Sequence, residues 1–196
     1  MTPAIASPIR PAREPEWPVW ALVLAMLAVG LVARTAVVNR TVPATVAGVT
    51  IAVPAAWSEL EALSPEELLR IGEPFGSTQF PVTVRVAEFA AGGDSQSLAD
   101  AGLALSVRQT DILLGHRVLG MEPARLAGQE AVAMDYAYVA EPELGAAAAL
   151  PEVMRGRDYI VRAGDRVLLV GYSAPAARFA EAEAAWARIA RTLRIE

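Results

Sequence analysis

Apolar residues follow three rhythms along this chain. From Trp17 to Val38 they are almost unbroken: WPVWALVLAMLAVGLVARTAVV has no charge between Val19 and Ala33 and only Arg34 beyond. At about 1.5 Å per residue, a helix of this length spans roughly the 30 Å hydrocarbon core of a bilayer. Trp17 and Trp20 stand at one end, where indole rings favour the headgroup level. Arg34 lies a turn from the other end, so its long stem can carry the guanidinium to the interface. A secretory signal is the competing reading, but its apolar region is usually about 7–15 residues and ends at a small-x-small site. The run here is longer, and Arg34-Thr35-Ala36-Val37 makes a poor cleavage site. The stretch 17–38 therefore predicts one transmembrane helix. Ala21, Ala25 and Ala28 share one of its faces, where small side chains let a second helix approach.

The second rhythm has period two. In GVTIAVPAAW, Val49, Ile51 and Val53 alternate with polar or small residues until Pro54 stops the strand, with Trp57 following as a core anchor. Val82, Val84 and Val86 repeat the pattern. RVLGMEPARLAGQEAVAMDYAYV reads as strand, turn at Ala127-Gly128, and strand. DYIVRAGDRVLLVGYS is the strongest hairpin, two apolar strands about Ala163-Gly164-Asp165. The third rhythm is helical: Phe179, Ala182, Trp186, Ile189 and Leu193 recur at three- and four-residue spacing within 175–193. A helix from Leu98 to about Arg108 follows Ser97 as N-cap and the Gly92-Gly93-Asp94 turn. Ser64-Pro65-Glu66-Glu67 has the form of a capping box with proline at the first helical position, and predicts a short helix through Ile71. The stretch from Ala140 to Glu152 lacks a period and reads as a long loop.

These elements predict an α+β domain: an antiparallel sheet with packed helices, after one N-terminal transmembrane helix. The chain divides into a proline-rich tail over 1–16, the helix over 17–38, a linker over 39–45 and one domain over 46–196. With a short tail and one anchor, the expected arrangement is single-pass in a cell inner membrane, with the domain on the extracytoplasmic side. Arginines flank the anchor on both sides, Arg10 and Arg13 against Arg34 and Arg40, so the positive-inside count adds little.

Composition narrows the function. From Thr41 onward, 13 arginines against 20 acidic residues leave a net charge of −7, unlike the basic face of a nucleic-acid binder. All basic residues are arginine and alanine abounds, which points to a GC-rich bacterial source. Cysteine is absent and His116 is the one histidine, so thiolate metal sites, disulfides and multi-histidine metal sites are excluded. No cofactor is expected. Ser173, in GYSAPA between a predicted strand and helix, loosely has the setting of a nucleophile elbow, but Pro175 stands where the elbow needs glycine. An ordinary turn serine is the better reading, and an envelope hydrolase the weakest functional one. Arg155, Arg157, Arg162 and Arg166 cluster across the last hairpin in sequence. They are a solvated face or a docking patch for an acidic partner or lipid headgroups.

GVTIAVPAAW resembles the glycine–strand–proline–tryptophan opening of PsbP-like domains, the fold of the extrinsic photosystem II protein and its bacterial relatives. RLAGQEAVAMDYAYV is similar to their central hairpin. RGRDYIVRAGDRVLLVGYSAPAARFAEAEAAWARIARTLRI is similar to their last hairpin and C-terminal helix. The resemblance implies an α/β/α sandwich over about 46–195. It also implies a non-catalytic accessory subunit that docks on a membrane complex, with photosynthetic or respiratory electron-transfer complexes as hosts. The expected partners are the lipid bilayer and integral membrane subunits, not nucleic acid. A tethered module for a lipid or small ligand is the alternative, and it needs a cavity between sheet and helix.

Overall fold

A computed structural model describes residues 17–38, 40–74, 80–89, 97–142 and 150–196. The expected tail over 1–16, the Gly92-Gly93-Asp94 turn and residues 143–149 of the expected loop lie outside them. The chain forms two units, one ending at Asn39 and the other running from Arg40 to Glu196.

The first unit contains helix α1 (Trp17–Val38), with the bounds its apolar run predicted. Over Trp17–Thr35 it is long and apolar enough to cross a membrane, and none of that window is buried. A signal sequence near an N-terminus meets the same test. Ala21, Ala25, Ala28, Trp17, Trp20 and Arg34 all lie on its open surface.

In the second unit, the described residues form a seven-stranded antiparallel sheet. Its spatial order is β3 (Ser58–Glu59), β4 (Glu67–Gly72), β5 (Thr83–Phe89), β9 (Arg166–Pro175), β8 (Glu152–Ala163), β7 (Gln129–Ala140) and β6 (Arg117–Leu126). A smaller sheet joins β1 (Thr41–Val46), β2 (Val49–Pro54) and β10 (Arg194–Ile195). Because side chains alternate along each strand, the large sheet feeds two separate cores. Val84, Val86, Leu168, Val170 and Tyr172 point to one, which α3 (Phe179–Ala190) and β2 close. Ala87, Met134, Tyr136, Ile160 and Leu169 point to the other, which α2 (Leu98–Ile112) covers. The result is the α+β domain that the pattern predicted, layered as the α/β/α sandwich that the resemblance implied.

The aromatic spacing in α3 explains the first core. Trp186 stacks on Tyr172 at 5.2 Å and on Tyr159 at 5.6 Å, while Phe179 stacks on Tyr172 at 5.5 Å. Such pairs add to the stabilisation that area burial gives. The hairpins turn where expected, at Ala127-Gly128 and at Gly164-Asp165. Ala127 and Gly128 have φ of 50° and 82°, the doubly positive pair that a two-residue hairpin turn demands.

Three local expectations need correction. The stretch after Ser64 is not a helix: Glu67–Gly72 is strand β4, paired antiparallel with β5. The Ser64 carbonyl accepts from the Glu67 amide at 3.1 Å, closing a turn, and Glu67 Oε2 accepts from the Leu63 amide at 2.6 Å. A cap signal followed by so few residues before Gly72 and Pro74 cannot repay helix nucleation, whereas the β5 edge offers a ready ladder. Residues 41–45 of the expected linker belong to strand β1 (Thr41–Val46), joined to β2 through Ala47-Gly48 with φ of 49° and 78°. Its Pro43 sits on a sheet edge, where the missing N–H costs nothing. The final helix is shorter than its pattern. Ala176–Arg178 form a 3-10 turn before α3, and the chain leaves the helix to add β10 beside β2.

Candidate functional site

Beneath α2 lies a buried polar cluster, and the strand register explains how it forms. Valines on one face of β5 leave Arg85 on the other. Arg85 is directly opposite Gly171 of β9, and Gly171 is opposite Asp158 of β8. A Cβ at Gly171 would fall 2.0 Å from Asp158 Oδ1 and 2.8 Å from the Arg157 carbonyl oxygen. The glycine thus clears a path across the middle strand. Through it Arg85 Nη2 donates to Asp158 Oδ2 at 2.5 Å and Arg85 Nε to Oδ1 at 3.3 Å.

Two residues along β8, Tyr136 of β7 lies opposite Gly156, where a Cβ would fall 2.2 Å from Tyr136 Cζ. This lets the phenol lean over β8. Its hydroxyl donates to Asp158 Oδ1 at 3.4 Å and accepts from Arg85 Nη2 at 3.2 Å. From α2, Gln109 Nε2 donates to Asp158 Oδ2 at 2.9 Å. That bond sets the amide's orientation, because a carboxylate oxygen can only accept. Asp158 is 0% exposed.

Burial by itself would lower the Arg85 pKa, but attraction to Asp158 outweighs it and the guanidinium stays charged. Burial pushes the Tyr136 phenol well above its ordinary range, so it remains a donor. His116 packs against Tyr136 with ring centroids 5.4 Å apart. Burial depresses its imidazole; Asp158 opposes that shift and Arg85 adds to it.

Beside the cluster, α2, β5 and the turn over 63–67 enclose a cavity of about 320 Å³. Its wall is apolar at Leu105, Phe89 and Leu169 and polar at Arg85, Glu67 and Gln109. Glu67 Oε1 and Gln109 Oε1 are buried without a hydrogen-bond partner. A larger depression of about 720 Å³ beside Leu98, Pro123 and Val132 is more open, and neither of these oxygens lines it. Among the described residues, no group of three or more acidic or histidine side chains is placed to hold a metal ion.

The residues singled out from sequence lie elsewhere. Ser173 is within β9, buried, with its Oγ 2.8 Å from Thr83 Oγ1, so it does not occupy a strand-to-helix elbow. Alternation splits the four arginines. Arg155 and Arg157 face α3: Arg155 stacks over Phe179 at 4.4 Å, and Arg157 grips Asp135 with two bonds of 2.6 Å. The Asp135 bonds raise the Arg157 pKa still further. Arg166, at the other end of the hairpin, is 3.5 Å from Glu88. Arg162 is an odd number of residues from Arg157 along β8 and so points to the opposite face. Sequence reasoning missed Arg85, Gln109 and Glu67. One signal was available: a charged residue inside the valine run of β5, with glycines inside both strands of the last hairpin.

No protein-family model matches the sequence, and no curated protein does. The likeness appears in three dimensions. The solution structure of cyanobacterial PsbP (CyanoP) from Synechocystis sp. PCC 6803 superposes with a TM-score of 0.57 at 12% identity, over 80% of this chain and 92% of the other. The domain has the PsbP-like fold. LpqN, involved in cell envelope biogenesis of Mycobacterium tuberculosis, superposes with a TM-score of 0.50 at 15% identity, over 80% of this chain and 90% of its own. At such identities the likeness concerns the fold.

Proposed function

We propose that this protein is a non-catalytic, single-pass membrane protein whose PsbP-like domain docks on and stabilises a larger membrane complex. The observation that carries the reading is the tether. α1 ends at Val38, and β1, already hydrogen-bonded into the domain, starts at Thr41. Only residues 39 and 40 lie between them in sequence, so an inserted helix tethers the domain covalently to the membrane. A contact made there gains from high effective concentration, so neither helix nor domain need bind tightly alone. The exposed small-residue face of α1 at Ala21, Ala25 and Ala28 suits close helix approach within the bilayer. Electron-transfer complexes are the hosts suggested by the resemblance to PsbP. The fold likeness to LpqN suits an extracytoplasmic domain. The proposal does not need the four hairpin arginines to act as one patch.

Gentle solubilisation of native membranes should co-purify the full-length chain with a defined set of integral membrane proteins. The domain over 40–196 alone should retain them at least about tenfold less well. A full-length chain that purifies alone would overturn the accessory-subunit reading. Protease added to intact spheroplasts should remove the domain, and complete protection would reverse its sidedness.

A further inference from the structure

We propose that the cavity between α2, β5 and the 63–67 turn binds a small organic cation, an ammonium group on an apolar stem. The size suits it: about 320 Å³ is at the lower end of ligand-sized cavities. The charge suits it too. Among the described lining residues, Glu66, Glu67 and Asp111 stand against Arg85 and Arg108. Arg85 is neutralised by Asp158, which lies outside the lining, so the cavity keeps an excess of negative charge.

The acceptors supply direction. Glu67 and Gln109 are 8% and 4% exposed, and each has one polar side-chain atom already engaged. Glu67 Oε2 is held by the Leu63 amide, and the Gln109 nitrogen by Asp158. The remaining oxygens, Glu67 Oε1 and Gln109 Oε1, are buried acceptors without donors, an arrangement that costs free energy until a donor arrives. An ammonium offers three N–H donors and the matching charge, while Leu105, Phe89 and Leu169 receive the stem. An anion or a neutral alcohol satisfies less of this: the first meets the carboxylates, and the second brings one donor and no charge. The inference is independent of any host complex, because it concerns the purified chain.

The test uses the full chain in lipid nanodiscs, with empty nanodiscs as reference, and ligand-observed NMR titration of 2-phenylethylammonium, 2-phenylethanol and 3-phenylpropionate. Saturable binding of the ammonium is expected, at least about tenfold tighter than either of the others. Glu67→Gln should weaken it about tenfold or more, with folding checked by thermal unfolding. Asp111→Asn, an exposed rim change, should weaken it about two- to threefold and serves if Glu67→Gln does not fold. No saturable binding of the ammonium below about 10 mM would overturn the assignment. So would equal binding of the alcohol or the carboxylate, or undiminished binding by a folded Glu67→Gln chain.

Discussion

On one face of the seven-stranded sheet, α3 lays Phe179, Ala182, Trp186 and Ile189 over Tyr172 and its neighbours, with the half-buried Arg155 and the Arg157–Asp135 pair at the margin of that apolar core. On the other face, α2 buries only Gly102, Leu105 and Gln109, and beneath it sit an aspartate, an arginine and a tyrosine hydroxyl. The contrast shows two ways of covering a sheet. Non-directional apolar packing tolerates small shifts and stabilises in proportion to area. A buried charge cluster holds only while every partner is in place, and replacing it with apolar groups is often neutral or better for stability. This sheet therefore pairs an apolar core on one face with a charge cluster set among apolar residues on the other.

Two substitutions probe the two faces most severely. Trp186→Ala should cost about 3–5 kcal/mol, since the side chain is 4% exposed between two tyrosines. Asp158→Ala should cost a similar 3–5 kcal/mol for a different reason, the loss of Arg85's counter-charge in a buried setting. Denaturant unfolding measures both, and a cost below about 1 kcal/mol at either site would remove the basis for the contrast. The double replacement Arg85→Met with Asp158→Leu sharpens it. Most of the Asp158→Ala loss should return, leaving less than about 1.5 kcal/mol, because the pair is removed as a unit. No such rescue exists for Trp186, whose loss leaves a cavity.

The smallest effect is pH-dependent and belongs to the α2 face alone. The His116 pKa is lowered by burial, so below about pH 6.5 the unfolded chain binds a proton that the folded chain resists. Stability should therefore fall as the pH drops through that value, down to the depressed folded pKa, and level off below it. Unfolding midpoints from pH 8 to 5 check this, with His116→Gln expected to flatten the decline. An unchanged slope in that variant would assign it to other groups.

Periodicity alone carries the elements whose signal lies within one segment. The unbroken apolar run marked α1 to its end residues. The three- and four-residue spacing of Phe179, Ala182, Trp186 and Ile189 marked the buried face of α3, and the Ala127-Gly128 pair marked a turn whose backbone admits few residues. These signals are local, so one segment suffices to read them. Pairing is not local. Glu67–Gly72 carries a helix-start signal yet is a strand, because the β5 edge lies alongside it, and Thr41–Val46 pairs with β2 despite Pro43. The buried cluster is the furthest from local reading: Arg85, Gln109, Tyr136 and Asp158 come from four elements and meet only because Gly171 and Gly156 fall opposite their partners. The same alternation that made each strand legible separated Arg162 from Arg157. Which side chains share a site depends on register between strands distant in sequence, and the contacts that set register exist only once the sheet has formed.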